Sequence, residues 1–138
     1  MEVPKKDQTF KTGNKDNKLL YESKHFLLEL YRCDSEKLND ESFLRCTLNN
    51  AAKLANATVL NLISNKFEPQ GITAIALLAE SHLSIHTWPE AQYCAVDIFT
   101  CGQNMKPDIS CKYLIHSLMA EEHLLRVINR DPPSKGSQ

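Results

Sequence analysis

Three strand-like runs follow one another with only short breaks between them: Ile72 to Leu78, Leu83 to Trp88 and Tyr93 to Thr100. Each is rich in β-branched, aliphatic or aromatic residues, and Pro89 to Gln92 is the turn joining the last two. Before them, Phe26 to Tyr31 and Thr58 to Ile63 read as strands, and His123 to Asn129 reads as a final one. Between the first two strands, Leu44, Leu48, Ala51, Ala52 and Ala55 recur at helical spacing, behind the N-cap candidates Asp34, Asn39 and Asp40. Pro107 opens a second helix whose buried stripe is Cys111, Leu114, Ile115 and Leu118. The order β-α-β-β-β-β-α-β predicts an α+β fold: a mostly antiparallel sheet with two helices packed on one face. The other face then needs a cover, and a second subunit is the cheapest one.

The 138 residues, 42 % of them hydrophobic, suffice for one domain with a core. That domain is expected over 21–130, flanked by a disordered tail at 1–20 and a flexible one at 131–138. A net charge of −1 argues against a nucleic-acid partner. Lys5, Lys6, Lys11, Lys15 and Lys18 are interleaved with acids and read as a solvated tail rather than a basic arm. No apolar run is long enough to span a bilayer, and no signal-peptide core is visible, so neither membrane nor export is expected. Five cysteines without a Cys-x-x-Cys pair suit reduced thiols in the cytoplasm.

The stretch Ala79 to Glu90, "AESHLSIHTWPE", is the anomaly. It is neither an apolar core strand nor a clean alternation. Ser81, His86 and, further on, Cys101 offer a nucleophile, a base and a thiol, and the hairpin through Pro89 would fold them together. Each has an ordinary reading as well: a strand serine, a satisfied histidine, a small buried hydrophobe. A metal reading is open too, since His82 and His86 share strand parity and Cys101 is a third donor. Ser81 and His86 have opposite parity, so either residues 80–82 leave strand geometry or a bulge brings His86 to the serine.

"GITAIALLAESHLSIHTWPE", followed by "YCAVDIFTCG", closely resembles the signature region of the bacterial and archaeal type of S-adenosylmethionine decarboxylase, and "SKHFLLELYRCD" resembles that family's first strand. The resemblance covers roughly residues 23 to 129. It implies a proenzyme that cuts itself between Glu80 and Ser81. The serine attacks the carbonyl of Glu80, an N-to-O acyl shift gives an ester, and β-elimination followed by hydrolysis leaves a pyruvoyl group at the new N-terminus. That group, the implied cofactor, forms a Schiff base with S-adenosylmethionine and takes up the electrons as CO2 leaves. The resemblance further implies His86 as the processing base and Thr73, where the family usually has serine, as the hydroxyl steadying the acyl shift. It implies Cys101 as the proton donor and Phe67 and Glu90 as substrate-binding residues, with no metal. It also implies a homodimer with active sites near the interface. The product would be the aminopropyl donor for spermidine. The rival reading keeps the pyruvoyl mechanism with arginine or ornithine as substrate. A non-catalytic binding partner and a metal-dependent hydrolase are the readings from other classes.

Overall fold

The computed structural model describes residues 22–133. The tails expected at 1–20 and 131–138 lie outside it, apart from residues 131–133, which have no regular structure. The strands are β1 (Ser23–Tyr31), β2 (Val59–Lys66), β3 (Ile72–Leu78), β4 (Ser81–Trp88), β5 (Tyr93–Cys101) and β6 (Glu122–Asn129). The helices are α1 (Ser35–Leu38), α2 (Glu41–Leu54) and α3 (Pro107–Ser117). One sheet holds all six strands in the order β2-β3-β4-β5-β1-β6, and every neighbouring pair is antiparallel. This is the expected α+β arrangement with one addition, the single turn α1. Four residues are too few to show helical periodicity, but its cap was readable: Asp34 accepts from the amides of Glu36 and Lys37. Asp40 caps α2 in the same way, accepting from Phe43. The expected turn at Pro89 is a 3₁₀ turn, Pro89–Ala91.

Period-two alternation divides the sheet into two unlike faces. Phe26, Leu28 and Leu30 of β1, Ala74 and Ala76 of β3, Leu83 and Ile85 of β4, and Cys94, Val96 and Ile98 of β5 all point to the helix side and are buried. There they meet Leu44, Leu48, Ala51 and Ala52 of α2 and Cys111 and Leu114 of α3. The small alanines let the helices approach closely, and Ser110 donates a 2.5 Å hydrogen bond across the gap to the carbonyl of Ala51. Thr87, the polar residue in this row of β4, is satisfied: it donates to the Leu38 carbonyl at 2.8 Å and accepts from the Ile72 amide at 2.9 Å. Burial pushes the thiols of Cys33 and Cys111 up to about 11 and that of Cys94 well above its usual range. These three are structural thiols, inert at neutral pH.

Among the described residues, no helix packs on the opposite, open face, where the register sets residues in rows. One row runs Leu77, His82, Phe99, His25 and Ile128, and the next runs Ile75, Ser84, Asp97, Leu27 and Arg126. Ile63, Leu77 and Ile128 on this face are each about half exposed. Among the described residues, no helix is long and apolar enough to cross a membrane.

Candidate active site

The residues singled out by the sequence gather at two ends of the sheet, all but the helix-side Ser81 toward the open face. At the first end, Thr73 of β3 lies directly opposite His86 of β4, and the Thr73 hydroxyl is 3.1 Å from His86 Nδ1. That contact fixes the ring and leaves Nε2 for other work. Phe67, Gly71, Thr73, His86, Trp88 and Glu90 line a shallow cleft of about 290 Å³ here. The β2–β3 turn shapes one wall: Gly71 stands at φ 104°, a conformation that glycine adopts without strain, and its amide donates to Asn39 Oδ1. Trp88 stacks on Tyr93 with ring centroids 5.2 Å apart. Sequence reasoning missed Trp88, although its parity with His86 was the available signal.

At the second end stands the β3–β4 hairpin. Leu78 pairs with Ser81, so Ala79 and Glu80 form the whole loop. Glu80 sits at φ 67°, in the left-handed region that costs a non-glycine residue about 1–3 kcal/mol. The Glu80–Ser81 junction therefore departs from regular geometry on its Glu80 side. Ser81 is buried, on the helix side, with its hydroxyl against the thioether sulfur of Met105 at 3.3 Å. A thioether is a weak acceptor, so this contact does not tie up the hydroxyl. A β-oxygen beside a strained peptide is what a pyruvoyl precursor requires, and the residues present fit that group. Cys101 closes β5 at this same end. The β4–β5 register places it one step past the Ser81 level, across from Glu80, with its side chain on the open face. It is partly exposed, unlike the three buried thiols.

The expectation that the Pro89 hairpin gathers Ser81, His86 and Cys101 needs correction. Pairing of β4 with β3 and β5 is in unbroken register from His82 to His86, so no bulge brings His86 toward Ser81. Five residues of strand separate them by roughly 16 Å. Within one chain, Ser81 and Cys101 share one end of the sheet, while Thr73, His86, Phe67 and Glu90 share the other. The metal alternative fails on the same ground. His82 and His86 do share a face, but four residues of strand hold them about 13 Å apart. A larger cleft of about 490 Å³ lies on the helix side, lined by Lys24, Phe26, Thr100 and Met105 among others. It adjoins the Ser81 end through Met105, which meets the Ser81 hydroxyl, and through Thr100 and Gly102, which flank Cys101.

Comparison with known proteins agrees with the resemblance. The family model for S-adenosylmethionine decarboxylase matches residues 24–131. The chain is 59 % identical over 111 residues to an S-adenosylmethionine decarboxylase proenzyme of Prochlorococcus marinus (strain MIT 9313), covering 80 % of this chain and 89 % of that one. An archaeal proenzyme of the same name, from Methanococcus maripaludis, is 49 % identical over 85 residues, 62 % of this chain and 70 % of its own. The crystal structure of the adenosylmethionine decarboxylase from Aquifex aeolicus superposes with a TM-score of 0.78 at 34 % identity, over 86 % of this chain and 98 % of that one. On fold, motif and relatives together, the chain belongs to the S-adenosylmethionine decarboxylase family.

Proposed function

We propose that this chain is a self-processing, pyruvoyl-dependent S-adenosylmethionine decarboxylase, a carboxy-lyase of the cytoplasm that supplies the aminopropyl donor for spermidine synthesis. The observation that carries the reading is the partition of the site residues between opposite ends of one sheet, whose open face no helix among the described residues covers. A second copy, related by a two-fold axis lying between the sheets and across the strands, sets the Ser81 end of each protomer over the His86 end of its partner. Two sites then form per dimer, each drawing on both chains. Exposed Ile63, Ile75 and Leu77 on this face supply apolar surface for such a contact.

In that arrangement each residue has a task its chemistry suits. The Ser81 hydroxyl attacks the Glu80 carbonyl, helped by the strain at Glu80, and the peptide becomes an ester. Thr73 donates a hydrogen bond to the oxyanion of the acyl shift and also orients His86. His86 removes the α-hydrogen so that the ester is eliminated, splitting the chain into 1–80 and 81–138. Formed from Ser81, a pyruvoyl group would supply a ketone for the substrate amine and a sink for the electrons that CO2 leaves behind. Phe67, with Trp88 near it, offers a ring on which adenine stacks, and a ring face also attracts the substrate's sulfonium charge. Glu90 accepts hydrogen bonds from the ribose hydroxyls. Cys101 delivers a proton to the carbon that loses CO2.

Intact mass spectrometry after borohydride treatment, with S-adenosylmethionine, arginine or ornithine present, tests this reading. The expected result is two chains, with the 81–138 chain alone tagged, and tagged by S-adenosylmethionine. A single 15.7 kDa chain that traps no amine overturns the enzymatic reading. Tagging by arginine or ornithine instead overturns the substrate.

A further inference from the structure

The proposed dimer fixes which side chains of the two copies meet. Its two-fold axis runs across the strands midway between the Ser81 and His86 levels, along the row of Ile75, Ser84, Asp97, Leu27 and Arg126. Residues equally far from that row on one strand then face each other, across the gap of about 10 Å between packed sheets. The resulting pairs are compatible. On β5, small Ala95 meets the partner's Phe99; on β3, Thr73 meets the partner's Leu77; on β6, Leu124 meets the partner's Ile128. On β1, His25 meets the partner's Glu29. The central row meets its own copy, and its Asp97 and Arg126, of opposite sign, stand two strands apart. At the outermost step of β5 the same symmetry sets Tyr93 over the partner's Cys101, each four residues from Asp97.

Tyr93 is firmly anchored. It stacks on Trp88 with ring centroids 5.2 Å apart and on Tyr31 at 5.8 Å. Those distances are close to the spacing of about 4.8 Å between strands, so the three rings stand up from the open face side by side. The Tyr93 hydroxyl donates to one oxygen of Glu29, and the other oxygen accepts from Arg126 at 3.4 Å. Burial and the Glu29 carboxylate push that hydroxyl above its usual range, so Tyr93 keeps its proton and is not the acid of the reaction. Trp88 lines the His86 cleft, and Tyr93 continues its wall toward β5. Cys101, partly exposed in a single protomer, is brought to the edge of that cleft by the partner.

We infer that Tyr93 is a positioning residue for the partner's Cys101: its anchored ring packs on the thiol, keeps water from it and aims it at the cleft beside Trp88. This rests on the two-fold arrangement and on the role proposed above for Cys101. Sulfur about 5 Å from an aromatic ring makes a favourable contact. With water excluded, the thiol is the proton source nearest the substrate carbon. Tyr93 acts through Cys101, and neither gains nor loses a proton.

Two measurements test this. Ser81→Ala protein stays one uncut chain, and its dimers can be mixed from isotope-labelled and unlabelled copies. An isotope-filtered NOE should join the Tyr93 ring protons of one copy to the Cys101 β-protons of the other. A dimer without that NOE overturns the inference and leaves the parent reading standing; a monomer overturns the shared site as well. In processed protein, Tyr93→Ala should be cut normally, lose about tenfold or more in kcat at little-changed KM, and expose Cys101 to alkylation about tenfold faster. Tyr93→Phe should recover most of both. Co-expressed with Cys101→Ala, the Tyr93→Ala chain forms mixed dimers in which one site holds both residues and the other neither, so activity should rise above that of either variant alone. Wild-type kcat in Tyr93→Ala, no recovery in Tyr93→Phe, or no rise on co-expression each overturns the inference. If Tyr93→Ala fails to fold or to dimerise, the NOE decides. If the wild-type protein neither cleaves nor decarboxylates, the parent reading falls while the NOE still reads the contact.

Discussion

Alternate residues of β4 serve different ends. Toward the helices, Leu83, Ile85 and Thr87 are each almost fully buried, and each is either apolar or fully hydrogen-bonded. Toward the open face, His82, Ser84, His86 and Trp88 are polar or half exposed, and each lies next to another reactive or aromatic group. A strand can hold both rows because its side chains alternate with a strict period of two. The helix row is governed by close packing, and the open row is free to carry chemistry at a cost in exposed surface. The two rows should therefore respond to mutation in different ways.

The largest effect expected is all-or-none. Ser81→Ala and His86→Ala should each stay uncut alone. Co-expressed, the His86→Ala chain should be cut, because the Ser81→Ala chain supplies the missing imidazole across the open face. Fragment masses decide the matter, and an uncut mixture breaks the proposed division of the site between two copies. Next in size is Cys101→Ala, which should be cut normally but lose about 10²–10⁴-fold in kcat, measured by release of labelled CO2. On the helix side, Ile85→Ala should lower stability by about 2–5 kcal/mol in urea unfolding, through the cavity it leaves under α2. Leu77→Asp on the open face should leave the fold of the protomer intact yet shift the sedimentation coefficient from dimer to monomer. Equal unfolding by both changes would erase the contrast between the faces.

The smallest effect concerns the buried thiols. Cys33 and Cys111 are held at about 11 by burial, against an ordinary value of 9.0. The folded chain thus keeps its protons where the unfolded chain releases them. Stability is fully present below about pH 9 and is lost as pH rises toward 11. Cys111→Ala should flatten that alkaline decline in a urea midpoint series, and an unchanged slope would show that the thiol contributes nothing to it.

Much of the fold was legible because period and punctuation agreed. Pro69 to Gly71, Pro89 and Pro107 mark turns or a helix start, and Asp34 and Asp40 cap helices as their composition suggested. The site was less legible. Parity placed Ser81 and His86 on opposite faces, but one chain's sequence gives no sign that the conflict is resolved between two chains. The approach of His25 to Asp97, 3.9 Å, was not legible, since the two stand in different strands and only the register brings them together. The run from His123 to Asn129 is the strand expected there, β6, yet all eight residues of β6 are exposed. The reason is reach: α3 lies over β1 and ends before covering the edge strand beyond it.

The strand order has a consequence for the nick after Glu80. The piece up to residue 80 owns β1, β2 and β3, and the piece from 81 owns β4, β5 and β6, yet the sheet shuffles them as β2-β3, β4-β5, β1, β6. Three of the five ladders therefore join one fragment to the other. Severing the backbone frees only a chain end, because the halves are woven through each other like the fingers of clasped hands, and parting them would mean unfolding both.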